Sequence, residues 1–170
     1  MFHMQVKIVT SKDKLKTITA AMGTLERNQV LVGIPAQNAP RTAAEAKAQD
    51  AKINNAALGY IHNFGLPSKN IPQRQFLEPG ILNASDGISV RMEKAAQGAL
   101  DGDSTAVKNN LSATGIIATS SVKMKISSNI PPPLAESTLA ARRRRGRTGT
   151  KTLIDTGQLR NSISFVIRPK

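Results

Sequence analysis

Cysteine is absent from this chain. That excludes disulfides, thiol nucleophiles and Cys-based zinc sites. Tryptophan is absent too, tyrosine occurs once, and aromatics make up 3% of residues. The aromatic platforms on which RNA-binding modules stack bases are therefore not expected. Apolar residues amount to 39% of a 170-residue chain. A core of Ile, Leu, Val, Ala and Met would be small for that length, and such chains often complete their burial against a partner subunit. No apolar run approaches the roughly 18 residues of a membrane span. The opening "MFHMQVKIVTSK" has no basic start followed by a long apolar region, so a secretory leader is not expected. Acids are scarce, 11 against 24 Lys and Arg.

What is present is positive charge, unevenly spread. The formal net charge is +13. Residues 139–170 hold nine bases and one acid, whereas residues 1–138 hold fifteen bases and ten acids. Such basicity permits nucleic acid, acidic protein or anionic lipid as a partner without choosing among them.

Periodicity lays out an α+β chain. "MQVKIV" (4–9) alternates Met4, Val6 and Ile8 and reads as a strand. A helix follows over 11–28, with Ser11 as N-cap and Leu15, Ile18, Met22 and Leu25 on its inner face. "QVLVGIP" (29–35) is a second strand, ended by Pro35. The Ala-rich stretch 42–65 reads as a helix with Ile53, Ala57 and Ile61 on one face and Gly65 as its stop. Two prolines make 66–76 an extended loop. A helix from Leu77 or Pro79 to Leu100 should turn Ile88, Met92, Ala95, Ala96 and Ala99 inward. A second long helix, 104–127, aligns Val107, Leu111, Ala118 and Val122. "IPPPLAEST" (130–138) is a rigid break, a short helix over 136–143 runs into the arginines, and "SISFVIR" is a last strand through Ile163, Phe165 and Ile167. The expected architecture is a single domain over 1–170. It has a small antiparallel or mixed sheet with helices packed on one side, and a long helical insertion at 83–130. An extended, Pro-rich and basic loop segment follows at 131–152.

Two motifs near the C-terminus carry opposite temptations. Arg142, Arg143, Arg144, Arg145 and Arg147 crowd into "RRRRGR", with Lys151 close behind, and read as a polyanion contact or a solvated face. Without zinc ligands or an evident basic recognition helix, contact with a nucleic-acid backbone is the form such a segment would take. Asp155-Thr156-Gly157 is the tripeptide of aspartic proteases, whose chemistry needs two carboxyls sharing a proton on loops backed by apolar strands. Here the preceding strand-like stretch, "TLI", is very short, and "QLRNS" follows at once. Asp155 or Thr156 is therefore expected to cap a short helix. His3 and His62 have no acid at helical spacing, and Glu78, Glu93, Asp101 and Asp103 form no metal-spaced set. Asp101 and Asp103 read as a helix end and a cap. No Gly-rich phosphate loop follows a strand. No catalytic residue, metal or cofactor is expected.

Two segments do carry a resemblance. "YIHNFGLPSKNIPQRQFLEPGI" (60–81) resembles the "hEFGT…IPaRPFLrPai" stretch of neck and tail-completion proteins of tailed bacteriophages. "PPLAESTLAARRRR…KTLIDTGQLRNSISFVI" (132–167) is similar to the closing stretch of the same group, which includes the Mu-type virion morphogenesis proteins. The early "VLVGIP" fits as well. Asn63 stands where that pattern commonly has an acid, and Gln75 where it has a second proline. The resemblance covers about half the chain. It implies a non-enzymatic virion protein, assembled in the host cytoplasm into a homo-oligomeric ring at the head-to-tail junction. The ring would be a hexamer by preference, with a dodecamer as the other number, and double-stranded DNA would pass through it. Its neighbours would be a portal-adaptor or other neck protein on one side and a tail tube or tail terminator protein on the other, with no membrane involved. Phe64, Ile71, Phe76 and Leu77, in or beside the proline-stiffened loop, would either fold it onto its own core or dock on the adjacent subunit, the interface being favoured for Ile71 and Phe76. Six copies of the five arginines would bring about +30 against roughly 24 phosphate charges in a ring ~40 Å deep. The loop would then grip DNA if it faced the channel, and meet acidic protein surface if it faced outward. A free, sequence-nonspecific nucleic-acid-binding protein is the rival reading.

Overall fold

The computed structural model of the chain describes residues 11–40 and 53–170. The expected strand at 4–9, and residues 42–52 of the helix expected over 42–65, lie outside them. The fold is α+β. Its described elements are α1 (Ser11–Arg27), β1 (Asn28–Gly33), α2 (Asn55–Phe64), α3 (Leu77–Leu82), α4 (Ser85–Leu100), α5 (Ser104–Ser127), α6 (Glu136–Arg144), α7 (Gln158–Ser162) and β2 (Ser164–Pro169). β1 and β2 pair antiparallel, with Val30 opposite Ile167 and Val32 opposite Phe165. A strand's side chains alternate between its two faces. Val30, Val32, Phe165 and Ile167 therefore share the face that lies on the helices.

The helix α5 is the centre of the molecule. It packs against α1, α3, α4, α7 and both strands. Its buried residues, Val107, Leu111, Thr114, Gly115, Ala118, Thr119, Ser121, Val122 and Ile126, form one broad stripe down the helix, and the expected line of Val107, Leu111, Ala118 and Val122 runs within it. The Ser and Thr content that looks unfavourable for a core helix is accommodated by size and by back-bonding to the previous turn, as where the Thr114 hydroxyl donates to the Asn110 carbonyl at 3.0 Å. Asp103 caps the helix as its position predicts, accepting from the amides of Thr105 and Ala106 at 2.9 Å each. At Gly115 the ring of Phe165 lies where a Cβ would stand, so the sheet rests directly on the helix backbone. The segment 83–130 is thus the hub on which the other elements assemble.

Two apolar seams flank α5. One gathers Phe76, Val122, Ile126, Ile130, Leu153 and Ile163; the other joins Ala21, Ala99, Val107 and Leu111 beneath Val30 and Ile167. Several expected inward faces are shifted. In α1 the buried residue is Ala21, while Leu15 and Met22 are exposed. The α4–α5 turn comes so close to Thr17 and Ile18 at Gly102 that a small residue is favoured at this crossing. In α4, Ala95 and Ala99 are buried as expected, joined by Gly98, whereas Met92 is exposed. In α2 the expected Ile53–Ala57–Ile61 face is replaced by Asn55, Gly59 and Asn63. Ile53 precedes the helix, which starts after its cap Asn54, whose side chain accepts from the Ala57 amide at 2.8 Å. Gly65, at φ 79°, ends it as expected.

Candidate functional site

A cleft of about 980 Å³ opens between three stretches of chain. One wall comes from α2 and the loop after it, including Asn55, His62, Phe64, Ile71 and Arg74. A second comes from Pro133 to Arg145, and a third from Thr152 to Leu159. Residues 60–81 and 132–167, which carry the family resemblance, face each other across it.

Arg74 joins the walls. It is 4% exposed. Its Nε and Nη2 donate to the Pro132 carbonyl at 3.0 and 2.7 Å, and Nη2 also donates to the Pro133 carbonyl at 3.1 Å. Among the described residues no carboxylate lies within ion-pair distance of it. Burial alone pushes its pKa below the usual guanidinium value. His62 stands nearby. Burial, reinforced by the Arg74 charge, lowers its pKa from 6.5 to about 4, so the imidazole is neutral at pH 7.

The arginine run divides by role. Arg142 to Arg144 form the last turn of α6 rather than a loop, where cations meet the negative end of the helix dipole. Arg142 is 5% exposed. Its Nη1 donates to the carbonyls of Gly149 and Lys151 at 2.8 and 2.9 Å, and its Nε lies 3.4 Å from Asp155 Oδ1. The loop after α6 is folded around this side chain. Burial lowers the Arg142 pKa, Asp155 opposes the shift, and Arg145 and Arg147 add to it. Arg147 donates to Asp155 Oδ2 at 2.6 Å, and Arg145 lies 4.0 Å from the same oxygen. Lys151 donates to the Ser127 carbonyl at 3.2 Å, bracing the C-terminus of α5. Arg143, Arg144, Arg145 and Lys151 are exposed, with Arg143 3.8 Å from Glu136 at the surface. The expectation that all five arginines and Lys151 face a polyanion is corrected for Arg142, which is buried. Arg145, Arg147 and Lys151 also make contacts within the chain.

Asp155 does not cap α7. The N-cap is Gly157, at φ 82° with no side-chain cap bond. The Thr156 hydroxyl accepts from the Gln158 amide only at a long 3.5 Å. Asp155 is instead the shared counter-ion of Arg142, Arg145 and Arg147. The groups around it are guanidinium groups rather than the second carboxyl that a protease dyad requires.

The four expected interface residues also separate. Phe64 is 55% exposed and rests on the exposed Tyr60, ring centroids 4.7 Å apart. Ile71 is half-buried. Phe76, however, is 3% exposed within the chain's own core, and Leu77 packs against the same cluster. Asn63, where the phage pattern commonly has an acid, accepts from the amides of Phe76 and Leu77 at 3.1 and 3.2 Å. It thereby caps α3 and folds the Pro-rich loop back on its own chain.

Sequence reasoning passed over Asn55, Arg74 and Thr152 in this cleft and dismissed His62 as structural. A lone arginine between two apolar anchors, "IPQRQF", was the available signal for Arg74. Among the described residues no group of His, Asp and Glu is placed to hold a metal, and no helix is long and apolar enough to cross a membrane. No family model matches this chain, and no curated protein or solved structure matches it either.

Proposed function

We propose that this protein is a structural component of a tailed-phage virion, a neck or tail-completion protein. It would assemble as a homo-oligomeric ring between the portal-side adaptor and the tail, with double-stranded DNA in its channel. It acts by shape and interface rather than by bond chemistry. The observation that carries the reading is that both motif segments of the resemblance meet in one place, where Arg74 of the first donates to Pro132 and Pro133 of the second. Their joint occurrence in the sequence thus has a structural reason. Exposed apolar side chains, Tyr60 and Phe64 on α2 and Ile116 and Met124 on α5, supply surface for neighbouring copies. Within the arginine run Arg142 is buried and Arg147 is tied to Asp155, which leaves Arg143, Arg144 and Arg145 facing outward toward a partner.

The test is assembly state and location. Native mass measurement should give a ring, and quantified virions should contain the chain in multiples of six. The rival reading, a free nucleic-acid-binding protein, draws on the exposed Arg143 and Arg144. A monomer at all concentrations that shifts short duplex DNA at moderate salt would establish it instead.

A further inference from the structure

The cleft holds an excess of both kinds of hydrogen-bonding group. Its lining contains Arg74, Arg142 and Arg145 against one carboxylate, Asp155. Asp155 is already shared by three arginines, and Arg74 has only carbonyl partners. A buried cation without a counter-ion is costly, and an arriving carboxylate offsets that cost through charge-assisted hydrogen bonds. The same walls carry buried polar atoms with no hydrogen-bond partner: Asn55 Oδ1, Thr152 Oγ1 and His62 Nδ1. Asn55 and Thr152 are 3% and 5% exposed, so these are enclosed groups rather than surface ones.

We propose that this cleft is the docking site for an extended acidic peptide segment of a protein partner. A peptide brings carboxylates for the guanidinium groups and, at every residue, a backbone N–H for the acceptor Asn55 Oδ1. A phosphodiester backbone brings only acceptors, with nothing to donate to Asn55. Phe64, Ile71 and Leu134 on the rim provide apolar contact for intervening side chains. The volume lies at the upper end of ligand clefts, roughly 300–1,000 Å³, and suits a segment a few residues long. The inference does not rest on the ring; it would hold for a free protein with the same fold.

The experiment titrates the intact chain with hexaglutamate peptide, with inorganic phosphate and with a short DNA duplex, following the Nε–H resonances of Arg74 and Arg142 and peptide fluorescence anisotropy. Saturable peptide binding that moves both resonances is expected. Arg145→Gln and Arg74→Lys should each weaken it at least about tenfold, a loss of roughly 1.4 kcal/mol. Arg143→Gln and Arg144→Gln, which lie outside the cleft, should leave it within about twofold. Thermal melts identify any variant that fails to fold, and Arg145→Gln, altering a partly exposed side chain, keeps the test decisive if Arg74→Lys does. The proposal is overturned by absence of peptide binding, by equal losses in the Arg143 and Arg144 variants, or by duplex DNA or phosphate moving these resonances more strongly than the peptide.

Discussion

At the scale of single residues, Asn63 illustrates how a polar side chain can organise an apolar loop. Its one oxygen holds two successive amides at the start of α3. Asn63→Ala leaves both amides without an acceptor in a buried setting and should cost about 2–4 kcal/mol, read from urea unfolding. Asn63→Asp keeps an acceptor and adds a negative charge at a helix N-terminus, so its stability should stay within about 1 kcal/mol of the parent. His62 gives a separate handle. Its folded pKa of about 4 lies below the unfolded value of 6.5, so the unfolded chain binds the proton more readily. The neutral imidazole's contribution is fully present above about pH 6.5 and is lost progressively as pH falls toward 4. A shift of this size corresponds to at most about 3 kcal/mol. Unfolding midpoints measured across that window should decline in the parent and decline less in His62→Leu. Equal slopes in the two would show that His62 is not the group responsible.

Among elements, α5 and α6 make the clearest demands. Gly115→Ala places a methyl group against the Phe165 ring. It should destabilise the protein by about 1–3 kcal/mol through overpacking, and Gly115→Ala with Phe165→Leu should recover part of that loss. In α6, Arg142→Gln removes the centre of the loop that follows and leaves Asp155 short of one partner. A loss of about 3 kcal/mol or more is expected in the same unfolding assay. Arg144→Gln, on the exposed side, should stay within about 0.5 kcal/mol. Element positions were largely legible in the sequence because caps and stops are local: Asp103, Gly65 and the prolines place their boundaries without reference to the rest of the chain. Faces were less legible. In α1, Ala21 rather than Met22 is buried because it meets Ala99, Val107 and Leu111, far along the chain, and in α2 the inner stripe is Asn–Gly–Asn, which no apolar periodicity announces. The central position of α5 was hidden for a related reason. Its buried stripe carries Thr114, Gly115, Thr119 and Ser121 while Ile116 and Met124 are exposed, so the hydropathy contrast between its two sides is small. The cleft was the least visible of all, since its walls come from three separated stretches and "RRRRGR" gives no sign that one arginine is a core residue.

For the whole molecule, the prediction is about partition of charge. On the proposed neck role, if the basic C-terminal segment meets protein, replacing Arg143 and Arg144 together by Gln should yield DNA-filled heads that lack attached tails. If it meets DNA, the same change should yield empty or leaking heads, visible in micrographs of the particles. A replacement that includes Arg142 would confound the two, because it unsettles the fold. The pairing of β1 with β2 has a consequence of its own. β1 is synthesised early, yet its hydrogen-bonding partner among the described residues arrives about 130 positions later, with the Lys170 amide closing on the Arg27 carbonyl at 2.8 Å. Closing so long a loop slows folding. Until β2 is made, the edge of β1 that β2 covers stays open, able to pair with the same strand of a sister chain on the same message. Folding yield should therefore depend on how closely ribosomes follow one another, with sparse translation favouring the correctly closed sheet.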